Sequence, residues 1–538
     1  MQSIDVLIVG GGPTGVALGL ELAAQKIPFR IIDKAPAGRS DKSRALVVQP
    51  RTLELLNRHG IARDLQARGN TADGVTVCVN GKEVAGMELE DVARLPNTAF
   101  PSQLIITQHD TEIFLDESLA KYGFGVEWEV RVESITQDAD GVTVKLGKSD
   151  NTTEETVRVK FVVGCDGKHS IVRDAAGLIF EGDSYPQDFI LADTHVKWGK
   201  PNNRAYLCFG RGMLAMLPLK DNMVRVVASR ATVTQRQGDP LLEDFQKAFS
   251  QLVPGGGTLH DATWLARFYL HHRGVNRYNN GRLFVAGDAA HVHSPVGGQG
   301  MNTGIQDSVN LGWKLAAVLR GERSMPFLDS YNAERRPVGQ KLLKTSDKAF
   351  TFVSSINPIF VFFRNLILPW IMPWVMGNRN RMQAFFNRMA EFDITYRGSD
   401  IVGTAPGLQG CKIQGGDRVL DGMVEGPEGQ KYLLNLLDPT RHHLLLFSGV
   451  GSESATEGTL QRAEAEFLER SPVEVKVHTV LGQKPNGESG YVDVDGVLHR
   501  EFGFKQAAYI LARPDAYAAH VGPLSALDAL PNWLKQLH

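Results

Sequence analysis

The sequence predicts an α/β protein with a buried parallel sheet, and two strand–turn–helix segments carry this prediction. The first opens the chain, where the apolar run "IDVLIV" is followed by "GGGPTGVALGLELAAQK" and then by a second apolar run, "PFRIID". A continuous apolar run is typical of a strand buried on both faces, and parallel strands are joined by a crossover helix. The second segment, "RLFVAGDAAHVHSPVGGQGMNTGIQD", occupies residues 282–307 and has the same order of strand, glycine-rich turn and helix.

The composition excludes several classes of protein. The chain has 538 residues, of which 43% are hydrophobic and 22% charged, and its formal net charge is −2. Such a balance provides no basic field for nucleic acid. The four cysteines are scattered and none forms a CxxC pair, which indicates a reducing compartment. We therefore expect a cytoplasmic protein without a nucleic-acid partner.

Changes in the residue pattern divide the chain into four parts. An α/β pattern is interrupted by short strands, a mostly helical segment follows, and a further α/β pattern closes the chain. The expected boundaries are 1–72, 106–180 and 275–345 for a discontinuous α/β domain, 73–105 and 181–274 for an inserted antiparallel sheet, 346–404 for a helical linker, and 405–538 for a C-terminal α/β domain.

A glycine-rich turn follows the first strand. Gly10, Gly12 and Gly15 have the spacing GxGxxG, and Asp33 stands at the end of the next strand. In such a unit the glycines allow a tight bend and the close approach of a pyrophosphate to the helix N-terminus, while the acid binds ribose hydroxyls. The unit therefore predicts a dinucleotide site, without deciding between FAD and NAD.

The segment at residues 282–307 predicts a second binding site for the same cofactor. Asp288 ends a strand, where a carboxylate can meet ribityl or ribose hydroxyls, and "PVGGQG" precedes a helix that begins near Met301. Backbone N–H groups at a helix start stabilise negative charge, and a reduced flavin ring carries such a charge. We therefore expect the two glycine-rich turns to bind one long cofactor from different ends.

These motifs resemble those of the group A flavoprotein monooxygenases, the FAD-dependent aromatic hydroxylases of the phenol hydroxylase type. The resemblance covers the N-terminal two thirds of the chain, including the hallmark "YNAERRP" at residues 331–337, which is structural in the family. It implies that FAD is bound by Gly10, Gly12, Gly15, Asp33, Arg44, Gln108, Asp166, Gly167, Gly287, Asp288, Pro295, Gly298, Gln299, Gly300, Met301 and Asn302. His109 departs mildly from the residue that the family usually has after the glutamine.

The resemblance also implies the roles of the domains. The discontinuous domain is expected to be a Rossmann-like FAD-binding domain, and the inserted sheet a substrate domain, as in para-hydroxybenzoate hydroxylase. Residues 405–538 resemble the thioredoxin-like domain of the phenol hydroxylase subgroup, with "ILARPDAYAAH" as its closing pattern, but they lack CxxC. Redox work by that domain is therefore not expected. The family often forms dimers, so a homodimer is expected.

The activity implied by the resemblance is a monooxygenation. NADPH or NADH docks transiently and reduces the flavin, O2 converts the reduced flavin to a C4a-hydroperoxide, and the distal oxygen attacks an electron-rich aromatic carbon. The expected substrate is phenolic, and the apolar character of residues 357–377 favours a lipophilic, polyketide-derived aromatic. The protein supplies positioning, a dry pocket and charge stabilisation.

Histidines are the candidates for favouring the phenolate form of a substrate. His271 and His272 precede the strand that leads to Asp288, and because they are adjacent on a predicted strand only one of them can face a pocket. His291 is expected to be architectural. His291 and His293 form an HxH pair, but no third ligand accompanies them, so no metal site is predicted.

One segment has the length of a membrane span. The run "NPIFVFFRNLILPWIMPWVMG" is almost wholly apolar, but Arg364 lies near its middle and Pro369 and Pro373 interrupt its second half. A central arginine opposes stable insertion. Buried helices, a dimer face and shallow interfacial contact by residues 357–376 remain open.

The motifs leave other functions open. Baeyer–Villiger oxidation or epoxidation on the same scaffold differs from hydroxylation in substrate placement and flavin protonation. A flavin-binding interaction protein is the alternative outside enzymology, and the complete glycine-rich loop ahead of Met301 argues against it.

Overall fold

The computed structural model of the protein describes residues 4–39, 45–88, 98–148, 154–229, 239–294, 297–355, 357–452, 454–482 and 490–537. The strands of the first third are β1 (Val6–Val9), β2 (Phe29–Ile32), β3 (Val47–Val48), β4 (Gly74–Val79), β5 (Lys82–Glu88), β6 (Leu104–Ile105), β7 (Val126–Glu127), β8 (Val130–Gln137), β9 (Val142–Lys148), β10 (Glu154–Val159) and β11 (Phe161–Gly164). The helices of this third are α1 (Pro13–Ala24), α2 (Pro50–Asn57), α3 (Ala62–Arg68), α4 (Gln108–Ala120) and α5 (Ile171–Ala175).

The middle third begins with two long strands and ends in helices. Its strands are β12 (Phe180–Lys197), β13 (Ala205–Phe209), β14 (Met213–Pro218), β15 (Met223–Ser229), β16 (Thr258–Val275), β17 (Asn279–Asn280), β18 (Leu283–Val285) and β19 (His291–Val292). Its helices are α6 (Leu242–Leu252), α7 (Gly300–Leu319), α8 (Asp329–Ser354), α9 (Pro358–Met376) and α10 (Arg379–Met389).

The last quarter of the chain is a compact α/β unit. Its strands are β20 (Gly403–Thr404), β21 (Met423–Gly426), β22 (Gly429–Tyr432), β23 (His442–Phe447), β24 (Val475–Leu481), β25 (Tyr491–Asp493), β26 (Ala508–Ala512) and β27 (Ala518–Pro523). Its helices are α11 (Glu457–Arg470), α12 (Val497–Phe502) and α13 (Leu530–Gln536).

The first sheet has the order β17-β18-β11-β1-β2-β7, and it is parallel except for β17. Its central strands are buried apolar runs, as predicted from "IDVLIV" and "RLFV". Helices α1 and α7 pack closely against each other, because a Cβ added at Gly312 would lie only 2.5 Å from the Cβ of Glu21. The predicted α/β fold with a buried parallel sheet is confirmed.

The second sheet has the order β19-β16-β12-β15-β14-β13-β4-β5. It is antiparallel except for the parallel pair β13 and β4, which brings residues 74–88 beside a strand of the later insertion. One face packs on α6. On the other face Phe189 and Phe268 contact Phe350 of α8. The predicted inserted β-sheet is therefore present, and the domain boundaries given above stay a prediction.

The C-terminal sheet has the order β20-β27-β26-β23-β24-β25-β21-β22. Its core strand β23 pairs parallel with β24 and antiparallel with β26. One face is covered by α11 and α13 and the other by α12. The likeness of this domain to thioredoxin stays a prediction.

Candidate active site

The carboxyl ends of the parallel strands meet at one edge of the first sheet, and the predicted motifs follow these ends. The turn at Gly10 follows β1, Asp33 follows β2, Asp166 follows β11, and Gly287 follows β18. In open α/β sheets, ligands bind in the crevice outside the carboxyl ends of the strands. The fold thus gathers four motifs that are far apart in sequence into one groove.

In the first glycine turn, two glycines are required by the packing of the protein, whereas a third leaves space for a bound group. A Cβ added at Gly10 would lie 2.3 Å from the carbonyl oxygen of Cys165, and one at Gly15 would lie 1.9 Å from the carbonyl oxygen of Gly10. Those two glycines are required by the packing of the protein itself. A Cβ at Gly12 would meet nothing within 4 Å, and its φ of −70° suits any residue. The open space at Gly12 is therefore a cradle that a bound group can fill.

Asp33 is oriented by the backbone of the same turn. Its two carboxylate oxygens accept hydrogen bonds from the N–H of Gly11 at 2.7 Å and of Ala35 at 2.8 Å. Each carboxylate oxygen has two lone pairs, so acceptor capacity is left for the hydroxyls of a ribose. The carboxylate is fixed at the strand end where the sequence placed it.

Arg39 also lies beside the first glycine turn, and the sequence motifs did not indicate it. Its guanidinium donates to the carbonyl oxygen of Gly11, forms an ion pair with Asp116, and lies 4.9 Å from the ring centroid of Trp128. Because no spacing rule links residue 39 to the GxGxxG turn, only the tertiary structure reveals this positive charge beside it.

The turn after β11 carries an unsatisfied acceptor. The Asp166 carboxylate accepts from the N–H of Ile171 at 2.8 Å through Oδ2, while Oδ1 is buried and has no hydrogen-bond partner among the described residues. Burial raises the pKa of this carboxyl above its usual value. Gly167 has a φ of +77°, which favours glycine. A buried acceptor without a donor is suited to a hydroxyl of a bound cofactor.

A buried cluster of charged side chains stabilises the turn after β18. Asp307 accepts hydrogen bonds from the N–H of Gly287 at 3.1 Å, from His291 at 2.9 Å and from Arg335 at 2.6 Å. Burial opposes ionisation of Asp307, but Arg335 and His291 hold its pKa below the usual value. His291 is therefore positioned within the architecture of the turn, while the neighbouring Asp288 is exposed at the groove.

A tight loop precedes α7, and we name residues 297–302 the ring-side loop. Gly298 has a φ of +62°, and Asn302 is buried, donating to the carbonyl oxygens of Val47 at 2.8 Å and Gly298 at 2.7 Å. Its Oδ1 accepts from the N–H of Gln49 at 2.8 Å. This single amide joins the loop to β3 and to the residue after it, and fixes the start of α7, which begins at Gly300, one residue before the predicted start near Met301.

The other residues predicted to bind the cofactor either hydrogen-bond within the protein or lie outside the described residues. Gln108 starts α4, and its amide donates to Glu112 at 2.7 Å along the same helix. Gln299 and Met301 belong to the ring-side loop, where Gln299 donates to the carbonyl oxygen of Arg388 at 3.1 Å. Arg44 and Pro295 lie outside the described residues.

The two candidate catalytic histidines lie on opposite faces of β16. His271 is paired in register with Ser184 of β12, and its Nδ1 lies 2.7 Å from the Ser184 hydroxyl. His272 is on the strand face of Phe268 and Leu270, the buried apolar side chains that face α8. The structure therefore separates the two candidates, as the sequence required.

His293 lies beside the ring-side loop. Its Nε2 would be 3.4 Å from a Cβ at Gly300, and its Nδ1 lies 2.8 Å from the carbonyl oxygen of Ser294. Burial and the neighbouring His291 lower the pKa of His293 to about 4. Since Nδ1 faces a carbonyl oxygen, it carries the proton, and Nε2 is an acceptor that has no partner among the described residues.

A family model described as an FAD binding domain matches residues 3–346. The chain belongs to this family. A 6-methylpretetramide 4-monooxygenase from Streptomyces rimosus is 33% identical over 553 residues, which cover 99% of this chain and 93% of the relative. A pentachlorophenol 4-monooxygenase from Sphingobium chlorophenolicum is 33% identical over 352 residues, which cover 64% of each protein.

A solved structure shows the same likeness in the three-dimensional fold. The anhydrotetracycline hydroxylase OxyS from Streptomyces rimosus superposes with a TM-score of 0.74 at 26% identity, covering 100% of this chain and 99% of that one. The protein is thus an FAD-dependent monooxygenase of the aromatic hydroxylase group, and its cofactor is FAD. The open space at Gly12 and the unpartnered Oδ1 of Asp166 fit such a cofactor.

Proposed function

We propose that the enzyme hydroxylates an electron-rich, phenolic and polyketide-derived aromatic, consuming NADPH or NADH and O2. The main support for this proposal is that two helix N-termini lie at the same groove. Helix α1 begins behind the open cradle at Gly12, and α7 begins behind the ring-side loop. The relatives named for pretetramide and anhydrotetracycline substrates support the polyketide class. A transient nicotinamide cosubstrate is the family's usual reductant.

We propose that each part of FAD contacts a different part of the groove. We propose that the pyrophosphate lies over Gly12 at the N-terminus of α1, and that Asp33 accepts from a ribose hydroxyl. Asp166 and Asp288 then meet the ribityl and pyrophosphate region. Gly10, Gly15, Gly167 and Gly287 shape the turns, and Gln108, Gly298, Gln299, Gly300, Met301 and Asn302, with Arg44 and Pro295, complete the proposed set.

The bound FAD supplies the reduction of O2 and the transfer of one oxygen atom. The chain supplies the environment for that chemistry. The backbone N–H groups at the start of α7 provide positive potential beside the ring-side loop, which stabilises negative charge there. The apolar face of the second sheet, including Phe189 and Phe268, excludes water from the substrate side.

Histidines are proposed to act on the substrate hydroxyl. His272 is the better placed of the two predicted candidates, because it shares a strand face with the apolar cluster that contains Phe268. His271 is proposed to position β12 through Ser184. We also propose His293 for this role, because its acceptor Nε2 lies beside the ring-side loop. A phenol hydroxyl that donates to this nitrogen would be held in place for attack.

The proposed activity is tested by following NADPH oxidation under air with a panel of phenols and aromatic polyketides. We expect a yellow protein, faster oxidation with one class of compound, and a product that has gained one oxygen atom. Product structure by NMR separates hydroxylation from Baeyer–Villiger oxidation or epoxidation. NADPH oxidation at the same rate with every compound, without transfer of oxygen to any of them, would contradict the proposed hydroxylase activity. The rate of product formation by His272→Ala and by His293→Gln is compared with that of His271→Ala, the matched control.

We propose that α9 makes interfacial contact with an anionic membrane surface. This helix is long and apolar enough to cross a membrane by length and composition, yet most of it is exposed: Trp370 is 78% exposed, Ile359 70% and Phe362 63%. Its arginine, Arg364, is buried and donates to the carbonyl oxygen of Val353 at 2.6 Å, which fastens the helix to the protein.

Charge favours a lipid surface over other occupants of this face. Residues 357–390 contain no Asp or Glu, whereas Arg379, Arg381 and Arg388 follow the helix. Basic residues beside exposed tryptophans are typical of helices that lie in the interface of anionic membranes. We expect sedimentation with vesicles of phosphatidylglycerol and phosphatidylcholine, weakened by salt and by Trp370→Ala. Absence of sedimentation together with a dimer in solution would assign the face to a second copy.

Three expectations from the sequence remain as proposals. The homodimer is tested by light scattering of the purified holoenzyme, and the domain boundaries by limited proteolysis, for which cuts near residues 346–404 are expected. The cytoplasmic location rests on cysteine usage, since Cys78, Cys165, Cys208 and Cys411 are free thiols in the structure.

A further inference from the structure

A buried carboxyl group lies directly behind the ring-side loop. Glu391 is only 3% exposed, and its carboxylate accepts hydrogen bonds from the Thr303 hydroxyl at 2.9 Å and from the Gln306 amide. Both donors are uncharged and both lie in the first two turns of α7. Among the described residues, no lysine, arginine or histidine forms an ion pair with this carboxylate. Burial without a paired cation disfavours the charged form of a carboxyl group and raises its pKa.

The segment that carries Glu391 supports the ring-side loop. Gln299 donates to the carbonyl oxygen of Arg388, and a Cβ at Gly297 would lie 2.8 Å from Met389. Glu391 itself has a φ of +62°, a conformation that a non-glycine residue rarely adopts. The end of α10 and the residues after it therefore form a support against which the loop and the first turn of α7 are packed.

Burial has the largest influence on Glu391 and raises its pKa to about 8. The hydrogen bonds from Thr303 and Gln306 and the charge of Arg335 on α8 lower this pKa without outweighing burial. The Arg335 guanidinium already donates to Asp307 at 2.6 Å. Asp393, on the same segment as Glu391, raises the pKa.

We propose that Glu391 is a proton-linked positioning residue for the flavin: as the neutral acid it leaves the positive end of α7 free to stabilise the reduced flavin anion, and as the carboxylate it cancels that potential. This inference rests on the proposed placement of the flavin ring at the ring-side loop. A negative charge hydrogen-bonded to Thr303 would oppose the helix dipole within its first turn.

The coupling follows from the balance of protons and electrons. At low pH, oxidised flavin accepts two electrons and one proton to give the anionic reduced form, and Glu391 is already neutral. At high pH, where Glu391 is ionised, reduction draws in a second proton from solvent, and that proton neutralises the Glu391 carboxylate. Linkage requires that a proton on Glu391 favours reduction by the same factor by which reduction favours the proton.

The test is the midpoint potential of bound FAD from pH 6 to pH 10 in the wild type, in Glu391→Gln and in Asp400→Asn. Asp400 is an exposed carboxylate further along the same segment and is the matched control. We expect equal potentials at pH 6. Above pH 8 we expect the wild type and Asp400→Asn to fall together below Glu391→Gln, with a tenfold lower ratio of reduced to oxidised flavin, about 30 mV for two electrons.

A second measurement does not depend on the Gln variant. Infrared difference spectra at pH 9 should show a carboxylic acid band that appears on reduction of the wild type. Potential–pH lines that run parallel in wild type and Glu391→Gln, or the absence of this band, would overturn the inference. A protein that binds no FAD would instead overturn the proposed function, and flavin absorbance is measured first to separate the two results.

Discussion

Arg513 of the C-terminal domain donates to both carboxylate oxygens of Glu334, at 2.7 and 2.9 Å. Glu334 belongs to the "YNAERRP" segment on α8, and Arg513 to the closing pattern "ILARPDAYAAH". Lys314 of α7 donates to the same carboxylate at 2.8 Å, and Asp515 pairs with Arg513. Both sequence patterns therefore meet in one buried ionic network that joins the C-terminal domain to the FAD-binding part.

This network predicts the effect of breaking one partner. Arg513→Met should destabilise the protein by about 3–5 kcal/mol, because Glu334 and Asp515 would be left as buried charges with fewer partners. Glu334→Gln in the same background should recover part of the loss, since it removes one of the unpaired charges. Urea unfolding measures both, and strictly additive losses would contradict the coupling.

The two glycines of the first turn should respond differently to alanine. Gly15→Ala should destabilise the apoprotein, since its Cβ would lie 1.9 Å from the carbonyl oxygen of Gly10. Gly12→Ala should leave the melting temperature of the apoprotein unchanged and weaken FAD binding at least tenfold, because its Cβ occupies the space proposed for the pyrophosphate. Thermal melts and flavin fluorescence titrations make the comparison. Unchanged FAD affinity in Gly12→Ala would show that the cradle is not the cofactor site.

The Asp307 cluster is predicted to be essential for the turn after β18. Arg335→Met removes the cation that donates to Asp307 at 2.6 Å, and we expect a loss of about 3–5 kcal/mol of unfolding free energy. Because Asp307 also accepts from the N–H of Gly287, FAD affinity should fall as well. A surface arginine, Arg131→Met, is the control for loss of a charge alone. Equal effects of the two changes in urea unfolding would contradict the role of the cluster.

Stability should depend on pH through Glu391. Its folded-state pKa of about 8 lies above the ordinary value of 4.5 for a glutamate. The folded protein therefore binds more protons than the unfolded chain between these values, and this group's contribution to stability is present below the lower value and lost as pH rises towards 8. Relative to Glu391→Gln, the wild-type apoprotein should lose about 1.4 kcal/mol per pH unit in this window. Denaturation curves at pH 5.5, 7 and 8.5 check this slope, and identical slopes would contradict it.

The sequence by itself determined the parallel sheet, the glycine turn and the strand-end acids. The physical reason is that these features are local: an apolar run, a glycine spacing and the residue after a strand lie within a few positions of one another. The start of α7 was predicted near Met301, and the helix begins at Gly300 for the same reason. The separation of His271 and His272 to opposite strand faces also followed from a local rule.

Only the tertiary structure decided which distant residues share the groove and what their charges do. Arg39 reaches the glycine turn, Glu391 reaches the first turn of α7, and Arg513 reaches Glu334, across separations that no spacing rule covers. The sequence could not decide whether α9 is exposed for the same reason, since an apolar run has the same pattern whether the protein core or solvent surrounds it. Burial, and with it the pKa of Glu391, exists only once the chain has folded, because desolvation is set by everything packed around the group.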